Sequence, residues 1–169
     1  MALPDEETQV QVSAEAADKF TSYYYQALNS GANLQPFYVN SSSRYTTPAD
    51  ISINGKVVAS PDEYRRMVKA QGTGVRYELD ILNAHVVNPS VTLGAPETLY
   101  DEDKNEKNGR RMTIAVMAIG RIRFGTGKEA LQKMFHESFI LTPNWDSMVR
   151  NPPRGVKEWL VLSQSFRAL

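Results

Sequence analysis

Between Ser13 and Asn29 the apolar positions Ala16, Ala17, Phe20, Tyr24, Ala27 and Leu28 return at helical spacing, with Ser13 placed to cap the start and Gly31 to close the end. The pattern predicts an amphipathic helix. In "NLQPFYV", Leu34, Phe37 and Tyr38 predict a short second helix or turn packed back on the first, with Pro36 near its beginning. "ADISINGKVVAS" reads as two short strands about an Asn54-Gly55 turn, because Asn-Gly supplies the positive φ angles that a tight hairpin needs. In "SPDEYRRMVKAQGTG", Ser60 as N-cap, Pro61 at the first helical position, Glu63 in a capping box and Gly72 as terminator define another helix. Tyr64, Met67 and Val68 form its buried face.

Beyond that helix the period drops to two. Val75, Tyr77, Leu79 and Ile81 alternate with Arg76, Glu78 and Asp80, which predicts a half-buried strand. "RMTIAVMAIGRIRFG" predicts a longer one, with Met112, Ile114, Val116, Ala118, Ile122 and Phe124 on one face. Its other face, Thr113, Ala115, Met117, Ile119, Arg121 and Arg123, is too apolar for water alone. "KMFHESFILTPNW" and "KEWLVLSQSFRAL" supply two more strands. Helices come first and long strands last, so the expected class is α+β with a mostly antiparallel sheet. Two to three helices cover one face of a four-to-six-stranded sheet but hardly both, and a semi-apolar second face then has to meet another chain. We expect one domain over 13–169, a flexible N-terminal tail over 1–12, and long loops at 88–111 and 143–156 that are functional or mobile.

Composition narrows the chemistry. The 169 residues hold 41% hydrophobic and 22% charged residues, as in a globular domain. Nineteen basic and nineteen acidic residues cancel, which removes the global positive field of a chain that binds nucleic acid by itself. Any RNA contact is expected to be local or shared. Without cysteine there is no disulfide, thiolate nucleophile or Cys-ligated metal, and a reducing compartment is expected. The opening "MALPDEETQVQVSAEAADKF" has neither the basic start nor the apolar run of a secretory leader, so we expect a soluble, non-exported chain with no membrane contact.

The two histidines offer little. His136 and Glu137 are adjacent on a strand, so they point to opposite sides of the sheet and form no dyad without a bulge. Phe135, Glu137, Phe139 and Leu141 share one face, and His136, Ser138, Ile140 and Thr142 the other. His85 reads as a polar residue at a sheet edge, and two histidines without cysteine are too few for a zinc site. "FGTGKEA" lacks the first Gly and the final Ser or Thr of a phosphate loop and reads as a Gly-rich turn. No metal, cofactor or catalytic residue is expected. Lys104, Lys107, Arg110 and Arg111 are diluted by acids, whereas Arg150, Arg154 and Lys157 are less so; together they are the candidates for contact with RNA or a ribosomal particle.

The motifs "KFTSYYYQALNS", "LQPFY", "INGKVV", "SFILTP" and "EWLVLSQSFR", in this order over about 13–169, resemble the nuclear transport factor 2-like family. Within it the chain is similar to the small subunits of heterodimeric mRNA export receptors, in their fungal form. The resemblance departs at Ile53, where relatives often carry an aromatic residue, and at the loop 88–111. It implies a cone-shaped domain with a strongly curved sheet and a non-enzymatic adaptor that pairs with a larger nuclear transport factor 2-like chain. It further implies transport of messenger ribonucleoprotein, and of ribosomal precursors, through pores lined with Phe-Gly repeats, with a location in the nucleus and at the nuclear pore and shuttling to the cytoplasm. If Leu160, Leu162 and Phe166 are core, then Trp159, Val161, Ser163, Ser165 and Arg167 point to the partner beside Met117, Ile119, Arg121, His136, Ser138 and Ile140. Arg167 is the expected charged contact. The alternatives are a small-molecule dehydratase or isomerase of the same fold, built on Tyr24, Tyr77 and His85, and a homodimeric transport factor.

Overall fold

The computed structural model describes residues 2–169. Its first helix, α1, runs over Glu6–Ser30, seven residues longer at its start than the apolar stripe predicts. Asp5 rather than Ser13 is the N-cap: its carboxylate accepts from the Thr8 N–H at 2.7 Å, and Glu6 and Glu7 complement the helix dipole in the first turn. Residues 6–12, expected in the tail, are therefore helical, and Val12 packs beside Gly109 and Met112. Ser13 is instead a buried residue of the helix interior. Gly31, at φ 71°, closes the helix in the left-handed conformation as expected.

Two short 3-10 turns, Gln35–Phe37 and Val39–Ser41, lead to the hairpin of β1 (Asp50–Ile53) and β2 (Lys56–Val58), with Asn54 and Gly55 both at positive φ. Helix α2 (Pro61–Ala70) starts at Ser60, whose hydroxyl accepts from the Glu63 N–H at 3.1 Å. Then come β3 (Val75–Asn88), a one-turn α3 (Glu102–Lys107) inside the first long loop, β4 (Thr113–Phe124), β5 (Leu131–Pro143), a 3-10 turn at Trp145–Ser147 in the second, and β6 (Trp159–Ala168).

The strand order is β2-β1-β6-β5-β4-β3, with β1 parallel to β6 and every other neighbour antiparallel. The fold is the expected α+β class. Phe20, Tyr24 and Leu28 of α1 meet Phe135, Phe139, Leu141 and Phe166 of the sheet in a core of aromatic rings, several in edge-to-face contact at 5 to 6 Å.

Of three register shifts in the sheet, two bulges decide where the predicted side chains point; the third lies at the end of β3, between Val86 and Asn88. In β3 the extra residue is Asp80, between Leu79–Gly120 and Ile81–Ile119. In β6 it is Leu162, between Ile140–Ser163 and Leu141–Val161. One inserted residue inverts the alternation beyond it. Ile81 accordingly turns away from the core that strict alternation gave it. Trp159 and Val161, expected to face a partner, turn inward and are buried, while Leu160 shares the outer side with its neighbour Thr142. These are corrections to two of the interface positions; Leu160 is buried in the core as expected, on the side of β6 opposite Val161.

Candidate partner-binding face

The side of the sheet away from α1 carries the remaining predicted positions. Register aligns them in rows: Val57, Ser52, Ser165, Ser138, Met117 and Asn83 across the whole sheet, then Arg167, His136, Ile119 and Ile81. Ser163, Ile140 and Ala115 form a third row, and Met134 lies opposite Arg121 in a fourth. Ile81 is 50% exposed, Met117 47%, Met134 50% and Val57 77%. Ile119 and Ile140 are half-buried, so Ile81, Met117, Ile119 and Ile140 form one patch across β3, β4 and β5, while Val57 stands apart on β2 beyond three serines.

The two arginines predicted at the interface differ. Arg121 is committed within the chain, its guanidinium meeting both oxygens of Asp80 at 3.0 and 3.1 Å and lying 3.6 Å from Glu78. Arg167 is exposed, opposite His136, with its guanidinium over Gly55, and among the described residues no carboxylate lies within 4 Å of it. One end of the face is closed off: the Tyr45 hydroxyl meets Thr142 at 3.2 Å and the Pro143 carbonyl, burying Thr142 and Leu160.

Solved structures repeat this architecture over nearly their whole length. A chain of the Sac3N peptide-bound Mex67:Mtr2 complex is 32% identical, with a TM-score of 0.84, over 93% of this chain and 99% of that one. The structure of Mtr2 is 30% identical, at a TM-score of 0.81 and the same coverage. A chain of the Chaetomium thermophilum Mex67 nuclear transport factor 2-like domain complexed with Mtr2 is 32% identical, at 0.83, over 93% and 98%. The chain belongs to the Mtr2 family. No protein-family model matches it, and no curated protein matches it in sequence.

In this Mtr2-family chain the two long loops are stapled to each other, which their composition did not announce. Trp145 donates its indole N–H to the Leu93 carbonyl at 2.9 Å, and Arg110 reaches the Ser147 hydroxyl at 3.1 Å. Arg111 is buried, with its guanidinium 3.7 Å from Glu106, 3.5 Å from Glu102 and over the Trp145 ring. Arg111 is thus structural and unable to reach a nucleic acid, and Arg110 is half-buried in the same staple. Lys157 lies over the rings of Tyr23 and Phe37 at 5.0 and 4.8 Å. Of the basic candidates only Lys104, Lys107, Arg150 and Arg154 project freely.

The proposed catalytic parts of the Mtr2-family cone do not converge. Tyr24 and Tyr77 are buried on the core side, and His85 is exposed on the outer side. What sequence reading missed is a polar cluster around Glu137, which is wholly buried. Tyr25 donates to its Oε1 at 2.7 Å and the Gln164 amide to its Oε2 at 2.7 Å. The same amide donates to the Tyr24 hydroxyl, Tyr24 to Tyr38, and Tyr38 back to Gln164 Oε1, closing a ring. The available signal was Glu137 itself, alternating with Phe135, Phe139 and Leu141 on the core face.

Burial pushes the Glu137 carboxyl up to about 7, although the bonds from Gln164 and Tyr25 pull the other way, and it pushes the Tyr24, Tyr25 and Tyr64 hydroxyls well above their ordinary value. A carboxyl whose pKa is raised by folding holds its proton longer in the folded state than in the unfolded one. Stability is therefore greatest below about pH 4.5 as far as this group is concerned, falls as pH rises from there toward 7, and levels off above. Each unit of displacement is worth about 1.4 kcal/mol. Urea titrations from pH 5 to 8 are expected to show this decline in the wild type and a flatter profile for Glu137→Gln; parallel profiles would contradict it.

Proposed function

We propose that this chain is the small, non-enzymatic subunit of a heterodimeric mRNA export receptor. It pairs through the outer face of its sheet with a larger nuclear transport factor 2-like chain of the Mex67 kind. It works in the nucleus and at the nuclear pore and shuttles to the cytoplasm; Phe-Gly repeats engage the dimer. Lys104, Lys107, Arg150 and Arg154 are the side chains available to RNA or pre-ribosomal particles.

The observation that carries this reading is the uncovered apolar patch of Ile81, Met117, Ile119 and Ile140 in a member of a family solved in complex with Mex67. A patch rimmed by serines and one unpaired arginine has the composition of a protein interface. An enzyme of the same fold is disfavoured because both oxygens of Glu137, the acid that points into the cone, are already bonded inside a core filled by Phe20, Phe135, Phe139 and Phe166.

Co-expression with a Mex67-type nuclear transport factor 2-like domain, followed by sedimentation, is expected to give a 1:1 heterodimer. A stable homodimer of this chain that excludes the large subunit would overturn the proposal.

A further inference from the structure

The strand order leaves β3 at one edge of the sheet, and the chain treats the two halves of that edge differently. Near its start, the Asn29 side chain imitates a neighbouring strand. Its Oδ1 accepts from the Tyr77 N–H at 2.7 Å and its Nδ2 donates to the Tyr77 carbonyl at 3.0 Å, so the backbone of Tyr77 points away from β4. Beyond the Asp80 bulge the alternation shifts by one. The register Ile81–Ile119, Asn83–Met117 and His85–Ala115 then turns the N–H and C=O groups of Leu82, Ala84 and Val86 to the open side. Among the described residues no other group bonds to them.

A cleft of about 430 Å³ runs along this open half, between it and the first three turns of α1. Leu82, Ala84 and Val86 form one wall, and Val10, Ser13 and Ala14 the other. Free strand edges are usually blunted by lysine, proline or a covering loop. Here β3 contains neither lysine nor proline, and Val10 stands 65% exposed above the cleft. The charge on the helix side has one sign: residues 2–18 hold Asp5, Glu6, Glu7, Glu15 and Asp18 and no lysine or arginine. Glu6 lines the cleft at the end nearest Val86.

We propose that the edge from Leu82 to Val86 docks an extended segment of a partner protein, which adds a seventh strand to the sheet. Its backbone pairs with Leu82, Ala84 and Val86. Every second side chain is apolar and enters the cleft against Val10 and Ala14, and a lysine or arginine at the end beside Val86 meets Glu6. Main-chain bonds supply the affinity and the cleft selects the alternation, as in other cases of strand addition. The surface lies at the margin of the outer face, so it remains open when that face is covered.

The test uses the full-length chain and a capped peptide of alternating valine and threonine, about seven residues long, flanked by lysine. In a nitrogen-15 titration the peptide is expected to shift the amides of Leu82, Ala84 and Val86 and to slow their hydrogen exchange at saturation. Ala84→Pro removes the central edge N–H and is expected to weaken the peptide roughly tenfold. The same variant retains capture of the large subunit, which separates failure of this edge from failure of the outer face. Glu6→Lys is expected to weaken the peptide in low salt and not in high salt. Unprotected edge amides at saturation, shifts confined to the outer face, or equal binding by a folded Ala84→Pro chain would each overturn the proposal.

Discussion

Gly120→Ala is expected to cost about 4 kcal/mol, near the top of what a single substitution does, and to lower the melting temperature accordingly. Gly120 has no unusual φ; the constraint is space. A Cβ there would sit 2.1 Å from the Glu78 carbonyl oxygen and 2.7 Å from the Phe135 ring. The first neighbour is backbone of the adjoining strand, so relief requires β3 to move away from β4 at the Asp80 bulge. Overpacking of this kind ordinarily costs about 1 to 3 kcal/mol when a side chain can yield, and more when backbone must. The bulge also turns Ile81 outward and places Asp80 against Arg121, so the variant is expected to weaken large-subunit capture as well as stability. Thermal unfolding and capture measured together check both; an unchanged melting temperature would contradict the close approach.

That glycine illustrates where the sequence was legible and where it was not. Helical spacing located α1, capping chemistry located α2, and Asn54-Gly55 located the hairpin, because each depends on residues within a few positions of one another. Alternation also placed Met117, Ile119, His136, Ser138 and Ile140 on one face, since β4 pairs with β5 without interruption. It failed at Ile81, Trp159 and Val161, which lie beyond bulges. A bulge is a relation between two strands, and nothing in "VRYELDIL" or "EWLVLSQ" alone marks it. The burial of Arg111 was hidden for the same reason. Its partners Glu106 and Trp145 come from two separate loops, and composition shows only a mixed-charge run. In the polar core, alternation places both Glu137 and Gln164 inward, but their bond joins two strands and brings in Tyr24, Tyr25 and Tyr38 from elsewhere in the chain, a relation no single segment marks.

Arg167→Glu is expected to weaken the complex with the large subunit by roughly a hundredfold, the scale of losing one buried, hydrogen-bonded charge pair at an interface. The prediction rests on the contrast between the two arginines predicted at the interface. Arg121 already holds Asp80 with two bonds, so a partner carboxylate gains little there. Arg167 projects beside His136 and the Asn54-Gly55 turn with no acidic neighbour of its own, and Ser165, Ser138 and Met117 fill the adjoining row. A planar guanidinium in that setting suits bidentate pairing with a carboxylate on the partner. Lysine keeps the charge and loses the fork, so Arg167→Lys is expected to recover only part of the affinity. Because the side chain is exposed in the free chain, either variant is expected to change folding stability by less than about 0.5 kcal/mol. Titration calorimetry against the large subunit, with thermal unfolding of the free chain as control, decides it: full affinity in Arg167→Glu would remove this residue from the interface, and a loss confined to stability would move its role into the fold.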